Sequence, residues 1–135
     1  MTFEQTKAAI RDRFKTLVAD VQSLTTTYDN APFTEPETGK WARLTILSGQ
    51  STQITVGAPG NNLSRYPGLV VIQMFDLAQQ GDKNLLALAD AINAAFSDKV
   101  LSGITYRRAS LQEVGTRGKW YQVNVNIPFL SDSYG

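Results

Sequence analysis

The sequence predicts an α+β fold: a single, mostly antiparallel β-sheet of about five strands, with two α-helices packed on one face. Two segments repeat apolar residues at helical steps, and several others alternate with a period of two. The resulting order, α–β–β–β–α–β–β, lacks the strict strand–helix alternation of a parallel sheet. The 135 residues, 42% hydrophobic and 19% charged, suit one core and are too apolar for a disordered chain, so residues 1–135 read as one domain.

The first helix is expected over Thr2 to Leu24, where Ile10, Phe14, Leu17, Val18, Val21 and Leu24 form one stripe. Thr2 and Gln5 fit a capping box, and the run Thr25-Thr26-Thr27 ends the helix because β-branched residues favour extended chain. Asp29 to Gly39, with Pro32 and Pro36, reads as a loop. Lys40 to Ser48 alternates as a strand, and Thr52 to Val56 is expected to pair with it as a hairpin. Gly57 to Gly68, with three glycines and two prolines, reads as a long irregular loop. Leu69 to Phe75 is nearly all apolar, which predicts a central strand covered on both faces.

Gln79-Gln80-Gly81 is a break, after which Asp82 can cap a second helix over Lys83 to Ser97. Two strands follow, Ile104 to Val114 and Lys119 to Phe129, around the turn Gly115-Thr116-Arg117-Gly118. In the last strand Tyr121, Val123, Val125 and Ile127 face one way, while Trp120, Gln122, Asn124 and Asn126 face the other. Pro128, with no amide hydrogen, is expected to end that ladder.

The residue inventory removes whole classes of chemistry. With no cysteine there is no disulfide, thiolate nucleophile or zinc–thiolate site, and with no histidine the usual general base is missing. Gly39-Lys40-Trp41 and Gly118-Lys119-Trp120 fail as phosphate loops, because Trp stands where Ser or Thr must hold magnesium. The carboxylates are scattered, without a pair placed for acid–base work. No catalytic, cofactor-binding or metal-binding residue is assigned. The longest apolar run, Leu69 to Ile72, is too short to cross a bilayer, and the start lacks the features of a signal peptide, so the chain is expected to be made and kept in the cytoplasm.

What remains is surface. The net charge of +1 gives no global attraction for polyanions, but residues 98 to 121 are locally basic, with Arg107, Arg117 and Lys119 near Trp120 and Tyr121. Adjacent strand residues point to opposite faces, so Arg107 and Arg108 cannot form one clamp. Trp41 and Trp120 occupy the strand phase opposite the apolar row: they either face outward as interface aromatics or lie under the helices as core. The candidate protein interface is Trp41, Arg43, Arg65, Arg107, Arg117 and Trp120.

The layout resembles the tail-terminator, or tail-completion, proteins of long-tailed bacteriophages and their prophage relatives. The likeness lies in the N-terminal helix, Lys40-Trp41-Ala42-Arg43-Leu44, the Gly-rich loop and Pro67-Gly68-Leu69-Val70-Val71-Ile72-Gln73-Met74-Phe75. It continues through Gly81, the helix Leu85 to Phe96, Gly118-Lys119-Trp120-Tyr121 and the ending Ile127-Pro128-Phe129. The resemblance implies a non-catalytic structural protein of the virion tail or neck, without cofactor. It implies a homo-oligomeric ring, hexameric in the family, that stops tail-tube polymerisation and joins the head. Its partners would be copies of itself, the tail-tube protein and the head–tail connector, with no membrane and no specific nucleic-acid recognition. The alternatives are another connector or minor tail protein, a small nucleic-acid-binding module, or a carboxylate-based hydrolase.

Overall fold

The structure, a computed structural model, describes residues 2–21, 24–28, 39–50, 52–53, 57, 60, 62–78, 82–101 and 103–134. Helix α1 (Phe3–Phe14) starts where the sequence places it. Thr2 Oγ1 accepts from the Gln5 amide at 3.1 Å, and Gln5 Oε1 accepts from the Thr2 amide at 2.9 Å, so two otherwise free donors are satisfied reciprocally.

The expected uninterrupted helix to Leu24 gives way to a π turn, Lys15–Ala19, in which the Asp20 amide bonds the Lys15 carbonyl and the Leu24 amide bonds that of Ala19. The wider turn carries the inward face from Phe14 to Val18 and Ala19. It leaves Leu17 and Val21 at 42% and 69% exposure rather than on the buried stripe.

The threonine run that ends the helix becomes a strand in its own right, β1 (Thr25–Tyr28), parallel to β2 (Trp41–Ser48) from Thr25 opposite Trp41 to Tyr28 opposite Leu44. With β1 on one side of β2 and β4 (Leu63–Leu77) on the other, β2 has no free edge for the expected hairpin. The short β3 (Thr52–Gln53) therefore pairs with Arg65 and Ser64 of β4, beyond the end of β2. The loop expected up to Gly68 is thus strand from Leu63 onward. The loop expected from Asp29, the residues 54–56 and the break at 79–81 lie outside the described residues, apart from Gly39.

Helix α2 (Lys83–Phe96) follows, but Asp82 does not cap it through its side chain. Its backbone at φ −110°, ψ −2° is not the extended conformation that aims a capping oxygen at the first amides, so only its carbonyl takes part, accepting from Leu86. The strand expected over Ile104 to Val114 is two strands, β6 (Ile104–Tyr106) and β7 (Ser110–Arg117), preceded by the short β5 (Val100–Leu101). The turn into β8 (Trp120–Tyr134) is Gly118-Lys119, with Gly118 at φ 61°, while Gly115 at φ 102° sits at a bulge in β7.

The sheet has eight strands among the described residues, ordered β1-β2-β4-β8-β6-β5 with β3 on β4 and β7 on β8; only β1–β2 is parallel. The α+β class and the mostly antiparallel sheet hold, and the strand count exceeds the expected five. β4 and β8 pair over fifteen positions, so Pro128 does not end the ladder. Its carbonyl accepts from the Arg107 amide, which shows that its nitrogen faces the gap between β6 and β7, where no ladder bond is lost.

Both helices lie on one face, over Ala42, Leu44 and Ile46 of β2, Val70, Ile72 and Met74 of β4, and Val123, Val125 and Ile127 of β8. The alternating residues of β4, from Leu69 to Phe75, are half-buried, because no helix covers the second face expected to be closed. The helices are joined by Arg13. Its guanidinium donates through Nε at 2.8 Å, and also through a terminal nitrogen, to the Ala95 carbonyl at the negative end of α2.

Candidate assembly surface

The helix-free face of the sheet is built in rows by the strand register. Trp41, Phe75 and Gln122 form one row, and Arg43, Gln73, Asn124 and Gln112 the next. Thr45, Val71, Asn126 and Ser110 follow, and then Leu47, Leu69 and Pro128. The alternation that sends Leu44 and Val125 into the core sends these side chains the opposite way. One end of the face is therefore aromatic, the middle is rich in amides and the far end is apolar. Gln122 Nε2 donates to Asn124 Oδ1 at 2.9 Å within the amide stretch.

Trp41 and Trp120 point away from the helices, as their strand phase predicts, yet they are only 4% and 7% exposed. Trp41 stacks on Phe75 with ring centroids 4.1 Å apart and planes 15° apart, and meets Trp120 edge-on at 5.9 Å. Each aromatic pair adds about 0.5–1.5 kcal/mol beyond its buried area. The tryptophans thus form a second small cluster, separate from the helix-covered core. What it presents outward is its rim of cations. Arg43 lies 5.9 Å from the Trp41 ring, Lys119 lies 5.1 Å from the Trp120 ring, and Arg117 is the cross-strand partner of Trp120; all three cations are exposed.

The other two sequence-selected arginines stand apart from this cluster. Arg65 makes a two-pronged ion pair with its cross-strand partner Asp132, at 2.8 and 3.2 Å. Arg107 occupies the break between β6 and β7 with its side chain exposed, while neighbouring Arg108 turns to Asp98 at 3.1 Å. The six candidates therefore divide: Trp41, Arg43, Arg117 and Trp120 share one end of the helix-free face, and Arg65 and Arg107 do not join them.

The Arg65 hydrogen bonds hold the Asp132 carboxyl below its usual value, and the carboxylate in turn raises the guanidinium. A carboxyl depressed in the folded state stabilises the fold above the ordinary carboxylate range, and that stabilisation is lost as pH falls through the depressed value. The pair is largely solvated, so water and salt screen it and its contribution is small. Urea titrations from pH 7 down to pH 2.5 should show wild type and Arg65→Gln converging as Asp132 protonates. A gap that persists at the lowest pH would refute the pairing as its source.

A second feature escaped the strand-phase reasoning. β7 is mostly exposed, and a groove of about 790 Å³ lies between it and α2, lined among others by Leu86, Asp90, Ala94, Lys99 and Leu111. One end is pinned by the Ala109 amide donating to Ser97 Oγ at 2.8 Å. The signal for it was in the sequence: of the fourteen residues of α2 only Lys83 and Asp90 are charged, so its outward side, with Ala87, Asn93 and Ala94, lacks the charge of an ordinary solvated face.

Among the described residues no three acidic side chains gather as a metal site, and no helix is long and apolar enough to cross a membrane. Tyr106 is buried edge-on against Phe96 at 5.2 Å, and burial pushes its hydroxyl up to about 12, which keeps it a neutral core group.

Comparison with known proteins bears on the whole chain. A family model described as phage tail terminator protein matches residues 5–129. Thirteen solved chains match, one of them with a TM-score of 0.67 at 19% identity, covering 96% of this chain and 97% of that one; at such identity it shows the fold. No curated protein matches.

Proposed function

The chain belongs to the phage tail terminator family, structural proteins of bacteriophage, and from that membership we propose that it caps the tail tube, ends its polymerisation and presents the surface that joins the head. The family match over residues 5–129 is the observation that carries this reading. The helix-free sheet face supports it, since neither helix covers it and it presents exposed Arg43 and Arg117 around a packed aromatic cluster, and arginine is enriched at protein interfaces. Residues 1–135 act as one unit, made in the host cytoplasm and incorporated at the tail–neck junction. The working form is a ring of identical copies, six in the family, which contacts the last ring of tube protein and the connector. It works through matched surfaces and turns over no substrate.

Electron microscopy of tails assembled with and without the protein tests the proposal. Overlong, unregulated tubes are expected in its absence, together with heads that fail to join. Tails of normal length without it would overturn termination and point to another neck role.

A further inference from the structure

The helix-free face and the outer side of α2 differ in charge. On the face, the charged side chains of the described strands are Arg43, Arg117 and the self-neutralising Arg65–Asp132 pair. On α2, Asp82 and Asp90 outnumber Lys83; beyond its end Asp98 is taken by Arg108, and Lys99 adds a cation at that end of the groove, nine residues from Asp90. Arg43 and Asp90 are both exposed, and neither has an ion pair among the described residues. Each shares its surface with an exposed apolar residue. Leu47, 52% exposed, lies four residues along β2 from Arg43, and Leu111, 49% exposed, lines the groove with Asp90.

We propose that these two surfaces are the two halves of one contact between copies: the β2 side of the helix-free face of one chain docks on the α2–β7 groove of the next, with Arg43 meeting Asp90 and Leu47 entering beside Leu111. This deepens the ring reading above and rests on it. The chemistry is complementary, a cation and an aliphatic side chain against the Asp90 carboxylate and the exposed Leu111 of a groove of mixed polarity. The small residues on α2 let a sheet approach closely. Arg43 alternates on β2 with Leu44, which lies in the core under the helices, so Arg43 and Asp90 stand on opposite sides of the sheet. A contact joining them cannot be two-fold symmetric. It runs head to tail, and such an interface gives a ring when its rotation closes and a filament when it does not.

Charge exchange tests it. Arg43→Glu places two acids together and Asp90→Arg two bases, so each variant alone should associate roughly 10- to 100-fold more weakly than wild type. An equimolar mixture should recover, because the two kinds of chain alternate: the arginine-bearing groove of one takes the Glu-bearing face of the other, and the second junction is native. The double variant should recover by itself. Sedimentation velocity reads the mass, with purified tail tubes added as template if the free wild-type chain is monomeric, and thermal melts confirm that every variant is folded. A wild-type ring indifferent to both single changes, or a mixture that stays dissociated, overturns this contact alone. Wild-type chains that never form a ring even on tubes overturn the ring reading itself.

Discussion

Gly68→Ala should cost about 3 kcal/mol, a large share of the roughly 5–15 kcal/mol that holds a domain together. Gly68 sits opposite Phe129 in the β4–β8 ladder, and a methyl group there would meet that ring at 2.2 and 2.6 Å and the Leu47 carbonyl at 2.7 Å. The ring belongs to a buried side chain and cannot swing freely, and the carbonyl is backbone bonded into the same sheet. Glycine is required at this position by space, since its backbone is ordinary extended chain. Urea denaturation should show a lower midpoint with an unchanged slope. Phe129→Leu in the same chain should restore part of the loss, because the ring supplies two of the three close contacts; strictly additive losses would show that the ring is not the obstacle.

Phe96→Ala is expected to cost about 3–5 kcal/mol. Phe96 is fully buried at the last turn of α2, edge-on to Tyr106 of β6, with the Arg13 guanidinium 5.6 Å from its ring. Removing it opens a cavity at the point where α1, α2 and the sheet meet. It also strips the packing from the arginine that closes the α2 carbonyl end. Thermal unfolding should fall by roughly 10 °C or more. A drop within a couple of degrees would mean that the site collapses around the loss and that the junction is not the keystone it looks to be.

The parts of this fold that could be read in the residues are those governed by near neighbours. The Thr2–Gln5 cap, the stripe of α2 and the alternation from Trp120 to Ile127 each depend on spacing within one element, and each stands as expected. What spacing could not supply was partner choice. β1 is four residues of Thr and Tyr whose strand character depends on β2 lying beside it. β3 found β4 because both edges of β2 were already occupied.

Proline misled in the same way at two positions. Pro67 and Pro128 both lie inside fifteen-residue strands. The Pro67 carbonyl accepts from the Gly49 amide just beyond the end of β2, and that of Pro128 accepts from Arg107 between β6 and β7. Each proline nitrogen faces a place where the neighbouring ladder is interrupted, which no local pattern reveals.

For the assembly surface, strand phase put Trp41, Arg43 and Trp120 on the side opposite the apolar rows, while Arg117, read as a turn residue, joins them because β7 runs on to it opposite Trp120. The depth at which Trp41 is buried depends on Phe75, which arrives from a strand more than thirty positions away in sequence. Arg65 looked available because its partner Asp132 lies at the other end of the chain.

The long β4–β8 ladder also governs when the molecule can take shape. The strand in the middle of the sheet follows β4 and β6 in chain order, and both lack a neighbour until it pairs with them. Until β8 is in place, β4 lacks the neighbour with which it makes its longest ladder, and its unpaired edge can stick to that of a sibling chain. Closing so distant a pairing is slow compared with forming a helix or hairpin. A chain cut short before β8 would lack the middle of its sheet altogether.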